Sequence, residues 1–232
     1  MKKNILISSI LAAAALVLLP ACAMITQNLA TPERVAKLPE PLRGQIQALV
    51  EKQAVLGHQF AAGTRKMIQA YATIAEAIDM KIVAAKLRAE AAALNAGSSL
   101  DDSRKALSRS APLMKEVRSK IGESKGVTLQ SKEKFAEGHR IKSEAYGIEV
   151  QLAEKASVEA ALGVKAMKKA SPMEKVMLTA TLDPLFFFVK DVPRFLAEER
   201  NFEEICQKFA KDYSVSIPRQ SLPTPKLTDM AF

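Results

Sequence analysis

An unbroken heptad seam constrains this chain more than any other feature. Leu42, Ile46, Leu49, Gln53, Leu56, Phe60, Gly63, Met67, Ala70 and Ile74 follow one another at alternating steps of four and three. Residues at that period form one stripe along an α-helix, and an apolar stripe must be covered by another helix. The pattern runs on less strictly through Ile78, Ile82 and Ala85. Pro41 is tolerated in a first turn, and Asn95-Ala96-Gly97 is a natural stop. The spacing predicts one helix over about 40–95, roughly 80 Å long at about 1.5 Å per residue. Between Gln53 and Ala75 only Arg65 and Lys66 are charged, so this helix is expected to touch partners on more than one side. Gly57, Gly63 and the alanines would let neighbouring backbones come close. Gln53, the polar member of the seam, either sets register or is a tolerated imperfection.

A second arm follows. Gly97-Ser98-Ser99-Leu100 turns the chain, and Asp101 and Asp102 suit a helix N-terminus. Leu100, Leu107, Met114, Val117 and Ile121 make the next stripe. Pro112 is expected to kink or divide this helix, and Gly122 and Gly126 mark a second weak point. Gly138, Ile141, Ala145, Ile148 and Leu152 again repeat at three and four, within a helical pattern over about 128–169. The short connection at 96–100 makes the arms antiparallel. Abundant Ala, Lys, Glu and Leu beside absent Trp agree with helix. The expected fold is all-α: a long antiparallel, coiled-coil-like helical hairpin with shorter C-terminal helices packed on it.

Ser171-Pro172-Met173-Glu174 is a capping box with Pro at the first helical position, predicting a helix over about 172–182. Asp183-Pro184 and Asp191 with Pro193 are further starts, the last opening a helix to about Tyr213. Residues 214–232 carry Pro218, Pro223 and Pro225 and read as an extended or disordered tail. The run from Val176 to Val189 has Asp183 as its sole charge and contains Phe186, Phe187 and Phe188. Three consecutive residues of a helix fan through about 200°, so one neighbour cannot bury all three rings. These phenylalanines are candidate docking residues for a partner or lipid, or else the segment caps the core.

Catalytic patterns are missing. There is no Gly-rich phosphate loop, no Gly-x-Ser-x-Gly elbow and no His-Glu-x-x-His. Glu198-Glu199 and Glu203-Glu204 read as solvated charges on a helix face. His58 and His139 lie in different arms, with His58 expected to face residue 138 across the hairpin. Ala62 and Lys142 stand where helical metal ligands would be, so both histidines read as surface or interface residues. No metal, cofactor or enzymatic activity is expected. The formal net charge of +9 suits nearness to anionic surfaces, but no run of five like charges suggests a nucleic-acid arm. Cys206, in Phe202-x-x-Ile205-Cys206-x-x-Phe209, reads as a buried small hydrophobe.

The N-terminus sets the location. Met1-Lys2-Lys3 precedes an apolar run from Ile5 to Leu19, the layout of a secretory signal over residues 1–21. The run falls short of the roughly 20 residues that span a bilayer, and Pro20 breaks it. Leu19-Pro20-Ala21-Cys22 resembles the lipobox of bacterial lipoproteins. The resemblance implies acylation of the Cys22 thiol with palmitate-type chains and cleavage before Cys22. Ala23, rather than Asp, stands after that cysteine, which implies the inner leaflet of the outer membrane. Residues 22–39 would be a tether and 40–213 an elongated helical domain in the periplasm. The expected function is a structural or adaptor lipoprotein that meets a protein partner, or a second copy, through its helical seams. A lipid or apolar-ligand binding module is the alternative. So is a membrane-active protein, since the expected hairpin resembles α-helical pore-forming toxins in architecture alone.

Overall fold

A computed structural model describes residues 35–40, 42–95, 97–123, 127–219 and 221–229. The described chain is all-α: α1 (Leu42–Ala77), α2 (Lys81–Ala93), α3 (Leu100–Lys120), α4 (Leu129–Lys168), α5 (Pro172–Thr181), α6 (Asp183–Lys190) and α7 (Val192–Asp212). A 3-10 turn over Ile121–Glu123 closes α3. The signal segment, Cys22, Pro41, Ala96 and Gly126 lie outside the described residues. Among the described residues, no helix is long and apolar enough to cross a membrane.

The expected single helix over 40–95 is two helices. Asp79 adopts a left-handed backbone, φ 62°. The Met80 N–H then donates to the Ala75 carbonyl at 2.8 Å, and the Asp79 N–H to that of Glu76 at 3.2 Å. This pair of bonds is a Schellman cap, which satisfies the last carbonyls of α1 and turns the chain away. Arg88 consequently folds back onto Glu76. Ile82, assigned to the seam by its spacing, is 75 % exposed. The longest rod is thus α4, about 60 Å at about 1.5 Å per residue, rather than an 80 Å hairpin.

Side-chain pairs fix the direction of each rod. Arg109 donates to Glu90, so α3 runs antiparallel to α2. Leu100 lies against Gly57, and the Arg118 guanidinium sits 5.6 Å from the Tyr71 ring centre, so α3 runs parallel to α1. The turn at 96–100 therefore joins α2 to α3 and not two long arms. α3 continues through Pro112 without a break, and the division falls after it, in the stretch containing Gly122. Its start is a capping box between Ser99 and Asp102.

The main contact is α1 against α4, antiparallel. Lys52 meets Glu159, Lys66 meets Glu144 and Glu76 meets Lys134 along it. Seam residues from Ile46 to Ile74 are buried, Gln53 among them. Glycines set the spacing. A Cβ on Gly138 would lie 2.7 Å from Ile74 Cγ1, 3.0 Å from the Ile74 nitrogen and 3.2 Å from the Ala70 carbonyl oxygen. A Cβ on Gly163 would meet Leu182 at 2.7 Å.

The C-terminal helices cover what remains open. Ser171 and Glu174 form the expected capping box of α5. α6 lays Leu185 and Phe188 into the core, and α7 adds Leu196, Phe202, Cys206 and Phe209. A second Schellman cap, with Ser214 at φ 54°, ends α7. The following tail is extended and packed. Tyr146 donates its hydroxyl to the Pro223 carbonyl at 2.7 Å, and the Lys226 N–H donates to Glu154 at 2.9 Å. Thr228 N–H reaches Ser157 at 3.0 Å. At the other end Leu38 is already buried, so packed chain begins ahead of α1.

Two glycines of α4 should respond oppositely to alanine. Gly147 has open space at its Cβ position, so Gly147→Ala should stabilise by about 1 kcal/mol through helix propensity. Gly138→Ala should instead cost about 1–3 kcal/mol, because the methyl meets backbone that cannot yield. Urea-unfolding midpoints of the two variants check this.

Candidate functional site

Two places stand out: the groove beside the phenylalanine cluster and a buried set of charges under α7. In the first, the three rings part company as their angular spread requires. Phe188 is fully buried, 5.6 Å from the Phe60 ring centre in an edge-to-face contact. Phe187 is half-buried, 5.4 Å from Phe60, and carries the Arg104 guanidinium at 4.0 Å above its face. Phe186 is half-buried, with Lys190 5.9 Å from its ring centre. Arg104 is held in turn by Asp183 at 3.3 Å. Phe187, Phe195 and Leu107 floor an open groove between α3 and the α6–α7 corner, edged by Arg104, Arg194 and Glu198.

The second place lies at the junction of α1, α4 and α7. Glu203 of α7 accepts from Lys142 Nζ at 2.6 Å and from Gln207 at 2.7 Å, and lies 2.8 Å from His139 Nε2. Lys142 and His139 are fully buried. One turn earlier, Glu199 accepts the Tyr71 hydroxyl at 2.8 Å. Tyr71 stacks on Phe202 at 4.8 Å, and Arg118 reaches Glu198 at 3.0 Å. On α4, Glu149 is fully buried, and neither carboxylate oxygen has a hydrogen-bond partner. It fits because Gly63 lies opposite: a Cβ there would be 2.5 Å from Glu149 Oε1.

Burial and charge pull these carboxyls apart. Burial alone would raise Glu203, but His139, the Lys142 charge and Gln207 outweigh it and hold the group at about 2. Burial pushes Glu149 well above the carboxylate range, and the Glu199 charge adds to the effect. Glu199 is raised by burial too, partly offset by Lys142 and Arg118. Burial lifts the Cys206 thiol to about 12, so it is held as an inert thiol.

Several expectations change here. Glu199 and Glu203 are not solvated charges, for they share α7's inner face with Leu196, Phe202 and Cys206. Only Glu198 and Glu204 face solvent. Residue 138 faces Ile74 instead of His58, because α1 ends at its cap and the register pairs Gly63 with Glu149. His58 is exposed. Spacing carried a signal for the buried set: Phe135, His139, Lys142, Ala145, Glu149 and Leu152 recur at three and four, which puts the charged residues on the apolar stripe. Among the described residues, no group of three or more His, Cys, Asp and Glu is placed to hold a metal ion. No family model, curated protein or solved structure matches this chain.

The ion pair has a measurable weight. Lys142→Met leaves Glu203 buried without its cation and should cost about 3–5 kcal/mol, whereas Lys142→Met with Glu203→Gln should recover much of the loss. Chemical denaturation of the single and double variants checks it. Glu149 sets a pH dependence. A carboxyl raised on folding contributes fully below its unfolded value of 4.5 and loses that contribution as pH rises through the folded value. Glu203, lowered on folding, works the other way and is lost as pH falls from 4.5 towards about 2. Glu149→Gln should therefore match or trail the wild type near about pH 4 and exceed it increasingly towards about pH 8. Denaturation midpoints across that range report the crossing.

Proposed function

We propose that this chain is an outer-membrane-anchored periplasmic lipoprotein of structural or adaptor kind, without enzymatic activity. The observation that carries the reading is Leu19-Pro20-Ala21-Cys22 at the end of a short apolar run with a basic start. Residues 23–34 could extend to about 40 Å as a tether, at about 3.3 Å per residue. The folded body would then stand clear of the bilayer or return to it. In this reading α1 and α4 act as a long, coiled-coil-like antiparallel pair, and their outer surface is what an envelope assembly or a second copy meets. The helical body, its inward-facing charges and the lack of a spanning helix among the described residues are consistent with that role. Docking is assigned to the groove floored by Phe187, with Phe188 beside it as inner support, while Phe186 lies outside that groove's lining.

A second reading takes the same groove as a site for an apolar ligand with an anionic end. Its apolar floor of Phe187 and Phe195, between Arg104 and Arg194, favours it. Co-purification in mild detergent separates the two readings. A discrete protein lost from Phe187→Ala with unchanged thermal midpoint supports the adaptor, and bound lipid without a protein supports the alternative.

The anchor makes its own prediction. Wild-type chain should incorporate labelled palmitate and run as the cleaved form, and Cys22→Ser should do neither. Mass spectrometry showing an unmodified mature N-terminus in the native protein would overturn the anchor.

A further inference from the structure

We infer that the end of the bundle carrying α5 lies directly on the surface of an anionic phospholipid bilayer, with Met173 and Val176 entering the headgroup layer. The inference deepens the lipoprotein reading and takes the orientation of the chain from it.

Three observations meet at this end. First, the described chain begins here. Val35 and Ala36 line a cavity with Ala180 and Pro184, so α5 stands beside the point from which residues 34 and below depart. An anchor on Cys22 would bring this end, and not the opposite one, to the membrane. Second, α5 is a short amphipathic helix whose inner side is sealed by Leu178, while Met173 is 77 % and Val176 50 % exposed. Third, the frame around these residues is basic. Lys165, Lys169 and Lys175 are exposed, and none has an ion-pair partner among the described residues. Glu174 is turned back onto the Ser171 N–H at 2.7 Å.

Helix electrostatics explain only part of that frame. Lys165 lies in the last turn of α4, where a cation complements the dipole. Lys175 lies near the start of α5, where the dipole disfavours a cation. The helix dipole therefore does not account for a cation at this position. Lysines near an anionic leaflet are attracted to it, and apolar side chains that leave water for the headgroup layer add to that attraction. Such a surface is sufficient to orient a protein already tethered.

Ile82 supplies the control. It is 75 % exposed, as apolar as Met173, and sits beside the cap at the far end of α1. The test places a polarity-sensitive fluorophore on Met173→Cys or Ile82→Cys in the full-length protein purified from membranes, its Cys22 mass checked. The protein is reconstituted into phosphatidylcholine vesicles with and without phosphatidylglycerol, containing lipid-borne quenchers. Flotation is measured alongside quenching. Several-fold stronger quenching at 173 than at 82, reduced by Lys169→Glu with Lys175→Glu while flotation persists, supports the inference. Protein that floats with both labels equally unquenched overturns it and leaves the anchor standing. Protein that lacks lipid on Cys22 yet shows quenching at 173 supports the surface and overturns the anchor. Protein that neither carries lipid nor floats overturns both.

Discussion

The backbones of α1 and α4 approach as closely as they do because glycine stands at 63 and 138. Each removes a methyl that would otherwise collide with a facing atom at 2.5–2.7 Å. That proximity sets the register of the whole molecule. Once Gly138 sits against Ile74, the ion pairs at Lys52–Glu159, Lys66–Glu144 and Glu76–Lys134 fall into line. A slip by one turn would drive backbone into backbone and separate all of them. Surface pairs of this kind contribute little each. Their regular placement follows from the packing and does not cause it.

The same closeness leaves an electrical problem inside. Gly63 makes room for the Glu149 carboxyl but supplies no donor to it. A charge there would have to lose its hydration without return. Burial raises the Glu149 carboxyl and so favours its neutral form, while Lys142 and Glu203 compensate each other a short distance away. Replacing such a pair by apolar groups is often neutral or stabilising, so stability alone does not account for it. What the pair does is fix α7: Glu203 ties it to α4 through Lys142 and His139, and Glu199 ties it to α1 through Tyr71. Without those three partners α7 would offer only a greasy stripe, which could slide along the groove.

The molecule is polar along its length. One end gathers the entering chain, the C-terminus of α4 and α5; the other holds the cap at Asp79 and the turn at Ile121–Glu123. The tail runs along α4 from Tyr146 to Ser157 and so points back towards the α5 end. In the proposed lipoprotein reading, only one end need face the membrane. The exposed apolar and basic residues of the α5 end, together with the groove at Phe187, leave the far end and the long flanks for other contacts.

The helical class, the buried seam from Ile46 to Ile74 and the starts at Ser171, Asp183 and Asp191 were legible in the residues, because periodicity and capping are local. The break after Ala77 was not. A Schellman cap normally announces itself with glycine, and here Asp79 takes the left-handed position, so the heptad pattern appeared to run on through Ile82. Pro112 misled in the opposite sense, since a helix packed against α1 and α2 tolerates a missing N–H that an isolated one would not. The buried charges were visible as spacing yet not as burial: Lys142, Glu149, Glu199 and Glu203 lie on apolar stripes, but a charged residue on such a stripe can equally mark its edge. Whether it is an edge or a centre depends on which helix arrives to cover it. The proposal of an anchor rests on Leu19-Pro20-Ala21-Cys22, which is read from sequence alone. Tertiary structure decided how four rods pack where two arms were expected, which of three phenylalanines is buried, and that Glu199 and Glu203 of α7 point in. Each is set by contacts between residues far apart in the chain, such as Lys142 with Glu203 and Tyr71 with Glu199, and no local rule of the chain contains them.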